Sequence, residues 1–125
     1  MSSLIFVTAS NCREDLARLT QLLLSAFPGS TIYQHTELCR VPHDVLNNKV
    51  DAVLLDAEMD DANSSDFVRM LRRKKTNIPV FIIAKAEDFR EEAMDAGADG
   101  YFVLPDSEEL LLRAIQLAKS KENLS

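Results

Sequence analysis

Five short apolar runs recur along the chain, separated by polar turn residues and helical patterns. The first run, Leu4 to Val7, is continuous rather than alternating, which suits a strand that is buried on both faces of a parallel sheet. Further strands are predicted at residues 31–33, 51–56, 78–83 and 101–103. The third run ends on Asp56, so it delivers a carboxylate to the end of a buried strand.

Helical patterns fill the intervals between the predicted strands. Asn11 and Glu14 have the spacing of an N-cap residue and its capping-box partner, and they open a first helix. We expect a short helix from Pro42 to about residue 48, a helix over residues 65–73 and a charged helix over residues 88–96 that Gly97 ends. The last helix begins near Ser107, and its expected inward residues are Leu110, Leu111, Ala114, Ile115, Leu117 and Ala118.

This alternation of strands and helices predicts an α/β domain with a parallel sheet, right-handed crossovers and helices on both faces. In such folds, ligand chemistry lies at the carboxyl ends of the strands. The side chains that follow the strands are therefore the candidates for function.

Length and charge narrow the class of protein. The 125 residues suit one domain, which we place at residues 1–119, and we interpret residues 120–125 as a polar tail or the start of a linker to an output domain. The net charge is −6, and residues 84–125 hold ten acidic and five basic residues. This charge argues against binding to nucleic acid or an anionic membrane surface.

With no secretory leader, no long apolar segment and two cysteines that we take as reduced thiols, we expect a cytoplasmic location.

Three ordered segments carry a resemblance to a known family. They are Asp51-Ala-Val-Leu-Leu-Asp56-Ala-Glu-Met59, Ile78-Pro-Val-Phe-Ile-Ile83 and Ala96-Gly-Ala-Asp-Gly-Tyr-Phe-Val-Leu-Pro105. With these three segments, the chain resembles the receiver domain of bacterial response regulators. Receiver domains are the phosphorelay modules of two-component signalling. The resemblance implies a flavodoxin-like three-layer sandwich with a five-stranded parallel sheet in the order 2-1-3-4-5. It also implies a signalling module rather than an enzyme.

In that family, the aspartate at the end of the third strand accepts a phosphoryl group from a histidine kinase, and the matching residue is Asp56. A divalent cation is held by this aspartate, by an acidic pair after the first strand and by the backbone carbonyl two residues past the acceptor. A hydroxyl residue after the fourth strand and a lysine before the final proline bind the phosphoryl oxygens. These groups are needed because a phosphoryl group and a carboxylate are both negatively charged.

The sequence departs from this pattern at four positions. Thr8 and Ala9 replace the acidic pair, Ala84 replaces the hydroxyl residue and Leu104 replaces the lysine. Because Mg²⁺ prefers carboxylate oxygens, we expect no metal site, or at most a weak Mg²⁺ site at Asp56 and Glu58.

Two structural landmarks of the family are retained. Tyr101 matches the aromatic residue whose rotamer reports phosphorylation through the hydroxyl residue that is missing here. The bond before Pro105 matches a cis peptide in the family, and we expect the same of Leu104-Pro105.

We therefore predict a pseudo-receiver that acts mainly through protein contacts. The family's usual contact surface corresponds to residues 88–96, Tyr101 and residues 107–118, which we call the contact face. Its acidic excess predicts a basic partner or a charge-patterned homodimer, with a histidine kinase or an output domain as partner classes.

Three other hypotheses stay open at this point. The chain is alternatively a conventional receiver that accepts phosphate poorly at Asp56 and serves, for example, a transcriptional regulator. Lys85 follows the fourth strand and is a candidate to replace the positive charge lost at Leu104. A remote alternative is a flavodoxin-like cofactor binder, because the polar segment at residues 8–11 precedes a helix; it lacks the glycine of a phosphate loop.

Overall fold

A computed structural model describes residues 4–47, 49–74 and 77–124 of the chain. The described strands form a single parallel sheet in the order β2-β1-β3-β4-β5, as predicted. Their bounds are β1 (Ile5–Ala9), β2 (Thr31–His35), β3 (Ala52–Asp56), β4 (Val80–Ala84) and β5 (Gly100–Val103).

Five α-helices connect or follow these strands within the described residues: α1 (Arg13–Ala26), α2 (Val41–Asn47), α3 (Ser64–Arg73), α4 (Arg90–Ala96) and α5 (Glu108–Leu124). Two 3-10 turns, Leu38–Arg40 and Glu87–Phe89, precede α2 and α4. Helix α5 continues to Leu124, so it includes most of the segment that we interpreted as a polar tail. None of the described helices is both long enough and apolar enough to cross a membrane.

The sheet separates two apolar layers. Val7, Val53 and Ile82 belong to a cluster with side chains of α2, α3 and α4, whereas the alternate strand positions pack against α1 and α5. Because β1, β3 and β4 are covered on both faces, their sequences are mostly apolar rather than alternating. The result is the predicted three-layer sandwich.

The start of α1 and the outer side of α5 differ from the sequence predictions. Cys12, not Asn11, is the N-cap residue of α1, and its side chain makes no capping hydrogen bond. In α5, Leu111 and Ile115 are buried, but Leu110 and Leu117 are 57% and 58% exposed. Leu110 lies one residue before Leu111, a rotation of about 100° around the helix, so it faces away from the sheet.

The turn between α4 and β5 is built around Gly97 and Arg72. Gly97 has φ = 109°, and a Cβ atom at this position would lie 3.1 Å from the Cγ of Arg72. The Arg72 guanidinium donates to the carbonyls of Gly97 (3.0 Å) and Ile78 (2.9 Å) and pairs with Asp99 (2.6 Å). Arg72 therefore joins α3 to both ends of this turn.

Candidate functional site

The carboxylate of Asp56 lies half-buried at the end of β3 and is held by two neutral donors. Its Oδ2 accepts a hydrogen bond from the Ser10 hydroxyl at 2.8 Å, and its Oδ1 accepts from the Glu58 backbone N–H at 2.9 Å. Ser10, which follows β1, is itself 5% exposed. Sequence reasoning placed Ser10 at this edge of the sheet but assigned it no role.

The residues at the acidic-pair positions offer no carboxylate at this edge. Thr8 and Ala9 were expected to follow the first strand, but both lie within β1 and are buried. The Thr8 hydroxyl is fully buried and has no hydrogen-bond partner among the described residues. The strand is longer than predicted because its last two residues are enclosed by the neighbouring strands β2 and β3.

Asn11 is the second side-chain donor at this edge. Its Nδ2 donates to the Glu58 backbone carbonyl at 3.1 Å. This carbonyl lies two residues past Asp56, where the family resemblance implies a metal ligand. Parallel strands bring residues 10–11 and 56–58 together, and that logic could have identified the contact from sequence.

Among the described residues, Asp56 does not belong to a group of three Asp, Glu, His or Cys side chains close enough to share a metal ion. The one group of three ligand atoms within 4.8 Å of one another is formed by Glu37, Cys39 and Asp61, all exposed. The Asp61 carboxylate already accepts the backbone N–H groups of Leu38 and Cys39, each at 3.0 Å, and the Leu38 bond contributes most to lowering the pKa of Asp61. Glu58, expected as an alternative ligand beside Asp56, is exposed and completes no such group.

Lys85 does not replace the missing lysine. Its Nζ lies 3.5 Å from Oδ2 of Asp15 in α1, and its side chain is 79% exposed. The hypothesis that it covers Asp56 is wrong in this structure, because α1 supplies a closer carboxylate.

Ala84 and Leu104 instead line an open space beside Asp56. Together with residues of α1 they enclose a cavity of about 480 Å³. The Leu104-Pro105 peptide bond at its edge is cis, which confirms the prediction.

Tyr101 is fixed by backbone groups that precede α4. Its side chain is 3% exposed, its hydroxyl donates to the Ala86 carbonyl at 2.5 Å, and it accepts from the Phe89 N–H at 3.3 Å. The guanidinium of Arg90 lies 4.9 Å from the ring centroid. Burial is the main cause that raises the pKa of the Tyr101 phenol. None of these contacts involves the residue at position 84.

A family model described as the response regulator receiver domain matches residues 13–116. The chain belongs to this family. The matched segment begins after β1, so it excludes the strand in which Thr8 and Ala9 stand.

Individual relatives agree with the family assignment. Over 72 residues, the receiver is 36% identical to the response regulator SaeR of Staphylococcus aureus. This match covers 55% of this chain and 32% of SaeR. The matched segment thus spans about a third of the length of that curated relative.

Solved structures show the same fold. A signal receiver domain of an HD domain-containing protein from Pseudomonas fluorescens Pf-5 superposes with a TM-score of 0.85 at 16% identity, covering 99% of this receiver and 100% of that chain. A response regulator receiver domain from Clostridium thermocellum gives 0.83 at 21% identity, covering 97% and 98% of the two chains. At these identities the likeness concerns the fold alone.

Proposed function

We propose that this receiver signals through protein contacts and does not depend on phosphoryl transfer to Asp56. In this proposal it is a cytoplasmic binding module rather than an enzyme, and it uses no resident metal ion. The observation that carries the proposal is the pair of hydrogen-bond donors, Ser10 and Asn11, at the oxygens where receivers commonly hold Mg²⁺.

These donors oppose Mg²⁺ binding for a simple electrostatic reason. Mg²⁺ needs oxygen lone pairs in near-octahedral geometry, mostly from carboxylates, carbonyls and water. Here the Glu58 carbonyl accepts from the Asn11 amide, and the methyl side chain of Ala9 supplies no carboxylate oxygen. A cation at this place would have to displace an amide group that carries partial positive charge. The donor set therefore does not fit Mg²⁺.

The phosphoryl side of the site supports the same conclusion. A phosphoryl group on Asp56 would meet Ala84 and Leu104, which offer no hydrogen-bond donor from their side chains. Catalysis of phosphoryl transfer consists almost entirely of positioning and charge neutralisation. Without the cation, the hydroxyl and the ammonium, the transfer to Asp56 should be slow.

The contact face retains what protein binding needs. Leu110, Leu117 and Met94 are exposed on α5 and α4, at 57%, 58% and 43%. Residues 87–119 hold nine acidic and three basic residues, a net charge of −6 that equals the charge of the whole chain. Exposed apolar side chains on strongly acidic helices favour a partner with a basic rim, on a kinase or an output domain.

A phosphorylation assay with a restored variant tests the proposal. The wild type and the Ala9→Asp/Asn11→Ser/Ala84→Thr/Leu104→Lys variant, which also frees the Glu58 carbonyl from the Asn11 amide, are incubated with acetyl phosphate and Mg²⁺, and intact masses are recorded. We expect the wild type to stay unmodified and the variant to gain the mass of one phosphoryl group, which a further Asp56→Asn change removes. Rapid, stoichiometric modification of the wild type at Asp56 would instead identify a conventional phospho-accepting receiver.

A further inference from the structure

We propose that the cavity beside Asp56 binds a small amine with an apolar body, and that the ammonium group pairs with the Asp56 carboxylate. This inference goes beyond the signalling role, because it assigns a ligand class to a space that the signalling role does not use.

The cavity has the size and the walls of a small-molecule site. Its volume is about 480 Å³, within the range of roughly 300–1,000 Å³ that is usual for ligand pockets. It lies between α1, the ends of β1 and β4, and the Leu104-Pro105 turn. Its apolar wall is formed by Ala9, Leu19, Leu22, Ile83, Ala84 and Leu104.

At the Asp56 end of the cavity, the chain supplies no positively charged partner among the described residues. The family resemblance implies a lysine at position 104, whose ammonium would lie near the acceptor aspartate. Here Leu104 extends the apolar wall instead, and no described cation lies within ion-pair distance of Asp56. The two hydrogen bonds that Asp56 accepts come from uncharged donors. An apolar wall that ends at a carboxylate without a cation is complementary to an ammonium on an apolar stem.

The remaining charged side chains around the cavity favour a cation over an anion. Asp15 and Lys85 pair with each other, so they compensate one another. Beyond that pair, the lining holds Asp56 and Glu108 as acids and Arg18 as a base. The excess of one negative charge selects an amine rather than a carboxylic acid as the occupant.

A titration with three molecules of similar size tests the proposed chemistry. The ¹⁵N-labelled protein is titrated with 2-phenylethylamine, 2-phenylethanol and 3-phenylpropanoate while amide shifts are followed by NMR. We expect the amine to bind about tenfold more tightly than the alcohol, and the carboxylate most weakly. The shifts should concentrate at Ser10, Asp56, Ile83 and Leu104. Equal binding of all three molecules, preference for the carboxylate or absence of saturable shifts would overturn the proposal.

Two pairs of variants locate the amine. Asp56→Asn should weaken amine binding about tenfold, while Asp106→Asn, an exposed acid outside the lining, should not. Leu104→Lys should abolish binding because it fills the cavity and brings its own ammonium, whereas Leu110→Lys on the exposed side of α5 should retain it.

Unchanged amine affinity in both Asp56→Asn and Leu104→Lys would place binding elsewhere and overturn the assignment. If Asp56→Asn loses the native spectrum, the leucine pair decides the matter. The phosphorylation assay measures only the mass added to the protein and involves no amine. The two proposals are therefore tested separately.

Discussion

At the scale of the residue, the neighbours of Asp56 determine what its carboxylate can do. The sequence was sufficient to predict Asp56 at a strand end and the departures at Ala84 and Leu104. The ends of β1 and β3 could be placed together from sequence, but the hydrogen-bond partners of Ser10 and Asn11, 46 and 47 positions away along the chain, could not be assigned. The local sequence around Asn11 is compatible with two roles, the N-cap of α1 and a contact with the residues that follow β3. The structure shows the second role.

Tyr101 gives a residue-scale prediction with a defined pH dependence. Because burial raises the pKa of Tyr101 in the folded protein, the unfolded chain loses this proton first as pH rises. The stability that comes from the neutral phenol is therefore complete below about pH 10 and is lost as pH rises through the folded pKa. We expect the free energy of unfolding, measured with urea, to decline above about pH 10.

Replacement of each tyrosine isolates this effect. Tyr101→Phe should lower the free energy of unfolding by about 1–2 kcal/mol at neutral pH, because the Ala86 carbonyl and the Phe89 N–H lose their partner. The same variant should flatten the alkaline decline. Tyr33→Phe, which changes the chain's other tyrosine, should keep it. An equal alkaline decline in Tyr101→Phe would contradict the assignment.

At the scale of the element, the strands were the easiest part of the fold to predict. β1, β3 and β4 are covered on both faces, so each is a short and mostly apolar run, and its length distinguishes it from a buried helix. The outer side of α5 was harder, because Leu110 and Leu117 have the same residue type as the buried Leu111. Hydrophobicity alone does not show which leucines meet the sheet and which remain for a partner.

The turn between α4 and β5 gives an element-scale prediction with a matched control. Both Gly29 (φ = 86°) and Gly97 (φ = 109°) occupy left-handed backbone, but only a Cβ at Gly97 would meet Arg72. Gly29→Ala should cost about 1 kcal/mol of unfolding free energy, from backbone strain alone. Gly97→Ala should cost about 2–3 kcal/mol, since it also displaces Arg72 from its carbonyl partners. Equal losses in the two variants would show that Arg72 does not stabilise this turn.

At the scale of the whole molecule, the distribution of acidic residues affects whether the protein pairs with a second copy of itself or with a basic partner. The stretch that carries the net charge of −6 includes both helices of the contact face. A two-fold symmetric dimer through this face would bring like charges together, because such an interface joins the same surface of both copies. A basic partner is thus favoured over the homodimer.

Sedimentation at two ionic strengths checks this conclusion. We expect the protein to remain monomeric at low salt, where repulsion between acidic faces is least screened. The Glu91→Gln/Glu92→Gln/Asp95→Asn variant, with a less acidic α4, should self-associate more readily than the wild type if Leu110 and Leu117 form the apolar patch. A stable wild-type dimer at low salt that dissociates on charge removal would support the homodimer instead.

The central claim is that hydrogen-bond donors stand where receivers hold their cation, and a Mn²⁺ titration tests it most directly. Paramagnetic broadening of the Ser10, Ala57 and Glu58 amides is recorded by NMR for the wild type and for Ala9→Asp/Asn11→Ser, which restores a carboxylate and removes the amide from the Glu58 carbonyl. We predict saturable broadening at this edge in the variant, and none in the wild type at Mn²⁺ concentrations that saturate the variant. Saturable broadening of the same amides in the wild type, with an affinity equal to that of the variant, would contradict the claim.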